Sequence, residues 1–251
     1  MILSQINGLF DPVGFLTPFT VRSKILMRSL WCGDCAGLGW DDPIPQRNRD
    51  EWKAFFNELF DIQNITFPRC LRPKDAVEEN PTLIIFCDGS EVAYGACAYV
   101  RWKLKSGLFK SNLVCAKSRV APAKTISIVR LELNGAVMAK RLKVFIENEM
   151  RLTFQRTYFL TDSQVVLAML QKVSYGFQTF SAVRIGEIQQ STQIKDWFWV
   201  DSRHNIADWI SRGKRPQELQ ENGEWQHGPQ FLVNDEKEWP IKQEVNLIEI
   251  P

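Results

Sequence analysis

Leu83-Ile84-Ile85-Phe86-Cys87-Asp88-Gly89-Ser90 is the stretch that decides the fold. An apolar run of this length bounded by turn residues reads as a buried strand. It ends on a carboxylate, and a buried carboxylate must be paired or bound to a cation. Taken alone, Asp88-Gly89 is equally the turn of a hairpin. The rest of the chain argues for chemistry, because Glu132, Asp162 and Asp208 each stand at a comparable junction of strand, helix and loop.

Working outward, residues 82–88 form the first strand. Residues 94–102 form the next, with Ala96, Ala98 and Val100 alternating with Cys97, Tyr99 and Arg101. Residues 111–117 form a third. The connections are short and contain Gly or Ser, so the three predict an antiparallel meander. After a basic loop (118–125), a long helix is predicted over 127–149. Its stripe is Ile128, Leu131, Gly135, Met138, Leu142 and Phe145. Glu132 lies beside that stripe, where an acid also serves simply to stabilise the helix dipole. A fourth strand (157–161) runs into Asp162-Ser163-Gln164 and a Val- and Leu-rich helix, for which Asp162 is by itself a good N-cap. A helix over 180–190, a fifth strand over 196–200 and a short helix over 205–212 follow. Strands first, then strand and helix in alternation, predict an α/β fold: a five-stranded mixed sheet flanked by helices.

The flanks have another texture. Residues 1–75 carry a Pro- and Gly-punctuated extended stretch (9–18) and amphipathic helices over 19–31 and 48–60. The second helix bears the apolar face Trp52, Phe55, Phe56, Leu59 and Phe60. Nothing there carries chemistry, so a docking or connecting module is expected, joined by a polar linker (75–81) to the central domain at 82–214. Residues 215–251 read as a linker-like tail with scattered anchors Trp225, Phe231 and Trp239.

Of the 251 residues, 45% are hydrophobic and 24% charged, as for a globular chain with a core, and the net charge of +2 neither demands nor opposes a nucleic-acid partner. No apolar run is long enough to span a bilayer and no signal peptide is legible, so a soluble cytoplasmic protein without membrane contact is expected. Cys32-Gly-Asp-Cys35 has the spacing of half a zinc site, but structural zinc needs four ligands and no second pair follows. Cys87, Cys97 and Cys115 sit in apolar runs, as small hydrophobes do.

Four acids at strand ends and helix starts point into one pocket if the sheet forms as predicted. Such carboxylates raise one another's pKa unless cations intervene. Hard oxygen donors suit Mg²⁺ or Mn²⁺. Two such ions, about 3.5–4 Å apart, clamp the attacking and leaving oxygens of a phosphodiester.

Phe86-Cys87-Asp88-Gly89-Ser90, Arg130-Leu131-Glu132-Leu133, Leu160-Thr161-Asp162-Ser163 and the run from Asn205 to Arg212 (NIADWISR) resemble, in order and separation, the motifs of the ribonuclease H domain of LTR retrotransposons. In detail they are closest to the Pao, or BEL, group. The run Gly8 to Pro18 (GLFDPVGFLTP) is similar to the segment that follows the reverse transcriptase in those polyproteins. Gly228-Pro229-Gln230-Phe231-Leu232 and Trp239-Pro240 are similar to the stretch leading to their integrase. The resemblance implies a ribonuclease H-like fold within a polyprotein fragment, with reverse transcriptase and integrase as partner domains. It implies an endonuclease that cuts the RNA strand of an RNA–DNA hybrid with two divalent ions. Asp88, Glu132 and Asp162 would be the principal ligands and Asp208 the fourth, with Asp201 a competitor for that place. Ser90 and Asn134 would support the hybrid near the scissile phosphate, and Arg119, Lys124, Arg203 and Arg212 would touch backbone phosphates. Relatives carry a His in a mobile loop well before the last Asp; here His204 stands close to Asp208, which leaves the proton-transfer route open.

Two other readings compete. One is a catalytically inert connector that only binds nucleic acid. The other is an aspartic peptidase, which needs an Asp-Thr-Gly or Asp-Ser-Gly loop; the chain offers Asp-Gly-Ser at 88–90 and Asp-Ser-Gln at 162–164.

Overall fold

In a computed structural model, which describes residues 2–32, 38, 39 and 41–243, the decisive stretch is β1 (Thr82–Gly89), buried along its whole length. The strand runs through Asp88-Gly89 instead of turning there. The turn falls at residues 90–92, where the Ser90 hydroxyl accepts the amides of Val92 (3.3 Å) and Ala93 (3.2 Å). β2 (Ala93–Lys103) pairs antiparallel with β1, placing Gly95 opposite Asp88 and Tyr94 opposite Gly89. β3 (Phe109–Val120) closes the meander, with an irregularity in pairing at Ala98/Tyr99.

Helix α4 (Ile128–Glu149) crosses over to β4 (Thr157–Thr161), which lies parallel to β1. α5 (Gln164–Leu170) and α6 (Thr179–Gln189) lead to β5 (Trp197–Val200), parallel to β4. The predicted architecture is therefore present, with one addition. Residues Ile241–Lys242 return as β6 against β5, so the sheet has six strands in the order β3-β2-β1-β4-β5-β6.

Strand alternation divides the core in two. Ala96, Ala98 and Val100 of β2 face the layer of α4, α5 and α6, together with Leu133, Leu142, Leu167 and Ile185. Cys97 and Tyr99 face the other side, where Phe19, Trp52, Phe55, Trp225, Leu232 and Trp239 gather. The second layer is thus assembled from both flanks. α2 (Thr17–Ser29) packs on β3 and on α7 (Asp208–Arg212), and α3 (Gln46–Glu58) packs on α2. The short α1 (Ile2–Asn7) adds the buried Ile6. The Cys32–Cys35 pair falls partly outside the described residues.

As far as residue 243 the tail is not a linker. Past α7 it folds through short 3₁₀ turns and α8 (Glu224–His227) across the sheet. Trp225 is fully buried; its indole donates to the Phe15 carbonyl (2.7 Å) and its own carbonyl accepts the Tyr99 hydroxyl (2.9 Å). Arg101, 1% exposed, donates to the carbonyls of Leu232 (2.7 Å) and Asn234 (2.5 Å) and pairs with Glu236 (3.2 Å). A buried guanidinium left without these partners would be strongly destabilising, so β2 and the tail need one another. The polar composition of the tail concealed this, because its apolar anchors are few and widely spaced and many of its other contacts are made by main-chain carbonyls.

Trp225→Ala is expected to destabilise the fold by about 3–5 kcal/mol, as for a large aromatic removed from a packed core. Urea unfolding reads this as a lower midpoint; an unchanged midpoint would mean the tail is only draped on the surface.

Candidate metal centre

Asp88 stands at the end of β1 and Asp162 just past the end of the adjacent parallel β4. Glu132 comes from the second turn of α4, and Asp208 opens α7. Glu132 reaches the sheet because α4 touches β1 backbone to backbone. A Cβ on Gly89 would lie 2.4 Å from the Glu132 nitrogen, and a Cβ on Gly135 would lie 2.6 Å from the Asp88 carbonyl oxygen. Only glycine permits this approach.

Burial holds the Asp88 carboxyl high, pushed up to about 6, with the charges of Asp162 and Asp208 adding to the effect and the Ser211 hydroxyl opposing it. Asp162 is raised by burial and by Asp208, against hydrogen bonds from Asn205 and Ser202. Glu132 is raised by burial and by Asp162, against the Ser163 hydroxyl. The structure therefore brings all four acids within electrostatic reach, with Asp162 as their hub. Asp201 is apart from them: its carboxylate faces solvent, and Arg203 in its own turn holds it down to about 2. Between the two candidates for the fourth position, Asp208 is the one in the cluster.

Each acid is held by a neighbour. The Ser211 hydroxyl donates to Asp88, the Ser163 hydroxyl donates to Glu132 (2.6 Å), and Arg212 pairs with Asp208 (2.5 Å). The Asn205 amide, 2% exposed, donates both to Asp162 (3.1 Å) and to the Cys87 carbonyl (3.1 Å), tying the ends of β4 and β1 together. With the carboxylates turned to these partners, no three Asp, Glu, His or Cys side chains among the described residues converge on one point. The donor chemistry nonetheless suits a hard cation: oxygen only, acidic, and repelling one another.

Sequence reasoning singled out none of Ser163, Asn205 and Ser211 as functional, although all lie inside the quoted motifs. Their roles depend on which strand ends meet. Asp162 is not the N-cap of α5; Ser163 is, accepting the Val166 amide (3.2 Å), which leaves the Asp162 carboxylate to Asn205.

The expected nucleic-acid contacts divide. Ser90 is a correction: it is 5% exposed, and its hydroxyl donates to the Ser211 carbonyl (2.8 Å), so it braces the turn and does not face a ligand. Asn134 and Arg119 line one cleft, whose lining includes none of the four acids. Lys124 is exposed on the loop before α4. Arg203 is occupied by Asp201, while Arg212 lies over the acids, its charge held chiefly by Asp208 and further by Asp88 and Asp162.

Gly89→Ala should push α4 off β1 and destabilise by about 1–3 kcal/mol, whereas Gly176→Ala, with nothing within 4 Å of its added methyl, serves as the neutral comparison in the same thermal melts. Asp88 yields a pH signature. Its folded pKa lies above the ordinary 3.8. The folded state therefore keeps a proton that the unfolded chain releases, and stability falls as pH rises through that window. Asp88→Asn removes the deficit: at neutral pH the variant should be more stable than the parent by on the order of 2–3 kcal/mol. The advantage should vanish below about pH 4, and a variant less stable at neutral pH would contradict the burial argument.

The model of the Pao retrotransposon-like RNaseH-like domain family matches residues 1–163, which takes in the N-terminal module, Asp88, Glu132 and Asp162. No curated protein matches the chain. Among solved structures, the chain is similar to the N-terminal RNase H domain of a Mycobacterium tuberculosis protein, solved as a fusion with maltose-binding protein. That similarity has 14% identity, a TM-score of 0.36 and coverage of 53% of this chain and 94% of the other. It is also similar to RNase H1 of the halophilic archaeon Halobacterium salinarum, at 14% identity and a TM-score of 0.30, covering 50% and 89%. With nearly two thirds of its length matched, the chain belongs to the Pao retrotransposon-like RNaseH-like domain family.

Proposed function

We propose that this domain is a metal-dependent endonuclease that hydrolyses the RNA strand of RNA–DNA hybrids, acting in the cytoplasm within a polyprotein beside reverse transcriptase and integrase. The observation that carries the reading is the gathering of Asp88, Glu132, Asp162 and Asp208 from four separate elements to one end of the sheet, where burial and mutual repulsion raise the first three. Such a cluster opposes folding, and no packing role accounts for it.

Asp88, Glu132, Asp162 and Asp208 would hold two Mg²⁺ or Mn²⁺ ions. Bound there, the ions would supply an activated water and stabilise the departing 3′ oxygen. The chain's own residues do the positioning. Asn205 fixes Asp162 relative to β1, Ser211 fixes Asp88 and Ser163 fixes Glu132. Arg212 is the standing counter-charge at Asp208, to be exchanged for a cation. A hybrid is recognised through groove shape, 2′-hydroxyls and phosphates, which suits a site with the Arg212 cation over it.

Incubating the protein with Mg²⁺ or Mn²⁺ and a hybrid labelled on its RNA strand should yield shortened RNA and intact DNA. Asp88→Asn and Asp162→Asn should each lower the rate by at least about a thousandfold while the far-ultraviolet circular dichroism is kept. Hybrid binding without cleavage by the unmodified protein would select the inert connector instead.

A further inference from the structure

Trp197 and Trp199 stand two residues apart on β5, on the face of the sheet covered by α4, α5 and α6. Their indole N–H groups go to different places. Trp197, fully buried, donates to the Thr192 hydroxyl (3.0 Å) in the turn before β5. Trp199, half-buried, donates to the main-chain carbonyl of Asp162 (3.0 Å). The strand pairing makes this reach possible. Thr161, the last residue of β4, lies opposite Trp199 in the parallel ladder, so the indole meets the first residue past the strand. Neighbours hold the ring in turn: α5 packs on β5, and Lys242, the β6 partner of Trp199, places its ammonium 5.7 Å from the ring centroid.

Asp162 is therefore held at two points. Asn205 donates to its carboxylate (3.1 Å) and Trp199 to its carbonyl. The two bonds are not equivalent. Asn205 engages an oxygen that a cation would also need, so the two compete for it. The indole takes neither carboxylate oxygen. It fixes the peptide group that follows Asp162, and with it the direction in which the side chain leaves the main chain. The Thr161 hydroxyl steadies the same turn by accepting the Ser163 amide (3.2 Å). Partners behind a metal ligand set affinity in this way, by holding the donor in place before a cation arrives.

We infer that Trp199 is a positioning residue of the metal centre: its indole N–H holds Asp162 in the orientation that receives a divalent ion, while Trp197 on the same face serves packing alone. The inference rests on the proposed metal centre, and its test reads ion binding and not cleavage.

The test is titration of the full chain with Mn²⁺, the free ion being followed by electron paramagnetic resonance with no nucleic acid present. Trp199→Phe should weaken Mn²⁺ binding about fivefold, the order expected when one neutral hydrogen bond behind a ligand is lost. Trp197→Phe should lower the melting midpoint at least as much, because that ring is the more deeply buried, and should leave the Mn²⁺ affinity unchanged. Replacing Trp199 by 3-benzothienylalanine, which carries sulfur where indole has its N–H, removes the donor with little change of shape. It should reproduce the loss, and it keeps the result decisive if Trp199→Phe folds poorly. Mn²⁺ affinity unchanged by loss of the N–H at 199, or lowered as much by Trp197→Phe, would overturn the positioning role and leave the metal centre standing. No Mn²⁺ binding by the unmodified protein would overturn the metal centre, and the inference with it.

Discussion

The end of β1 lies directly against the backbone of α4, and the rest of the molecule is arranged around that contact. Gly89 and Gly135 have no side chain to hold the two apart. Because they touch, Glu132 reaches the sheet end that carries Asp88, and the parallel pairing of β4 brings Asp162 to the same edge. A methyl group on either glycine would collide with main chain, which has no other rotamer to adopt. One close approach between a strand and a helix thus decides whether the acids form a cluster or remain scattered.

That cluster works against folding, and the surrounding structure offsets it. Four hydrogen-bonding side chains and one guanidinium satisfy the carboxylates: Ser211, Ser163, Asn205, Ser202 and Arg212. Asn205 matters most for geometry, since one amide group joins a side chain of the β4 end to the main chain of the β1 end. Desolvated, mutually repelling acids are common at functional sites and rare elsewhere, which is the physical ground for reading this edge as a reaction centre.

The second layer of the fold follows another logic. The α4 side of the sheet is covered by helices whose apolar stripes match it. The opposite side is covered by the N-terminal module and the tail together, meeting at Trp225, which is bonded to Phe15 on one side and to Tyr99 of β2 on the other. Segments that read as connectors are therefore structural parts of the domain.

Period and punctuation make the central elements legible. The apolar run at 157–161 predicts a strand and forms one, and the long helix begins and ends within a residue of its predicted bounds. The four acids are legible as well, because strand ends and helix starts are marked by local sequence. Local sequence could not show that Ser163, not Asp162, caps α5, that Ser90 turns inward, or that Arg101 is buried under the tail. Each of these depends on a partner far away in the chain: Ser90 on Ser211, Asp162 on Asn205, Arg101 on Leu232 and Asn234. The amino-acid order alone determined the central elements, from β1 to α7, and the chemistry available, because hydrophobic period and turn residues act over a few positions. The tertiary structure alone decided which polar groups satisfy one another, because a hydrogen bond is set by distance in space and not by separation along the chain.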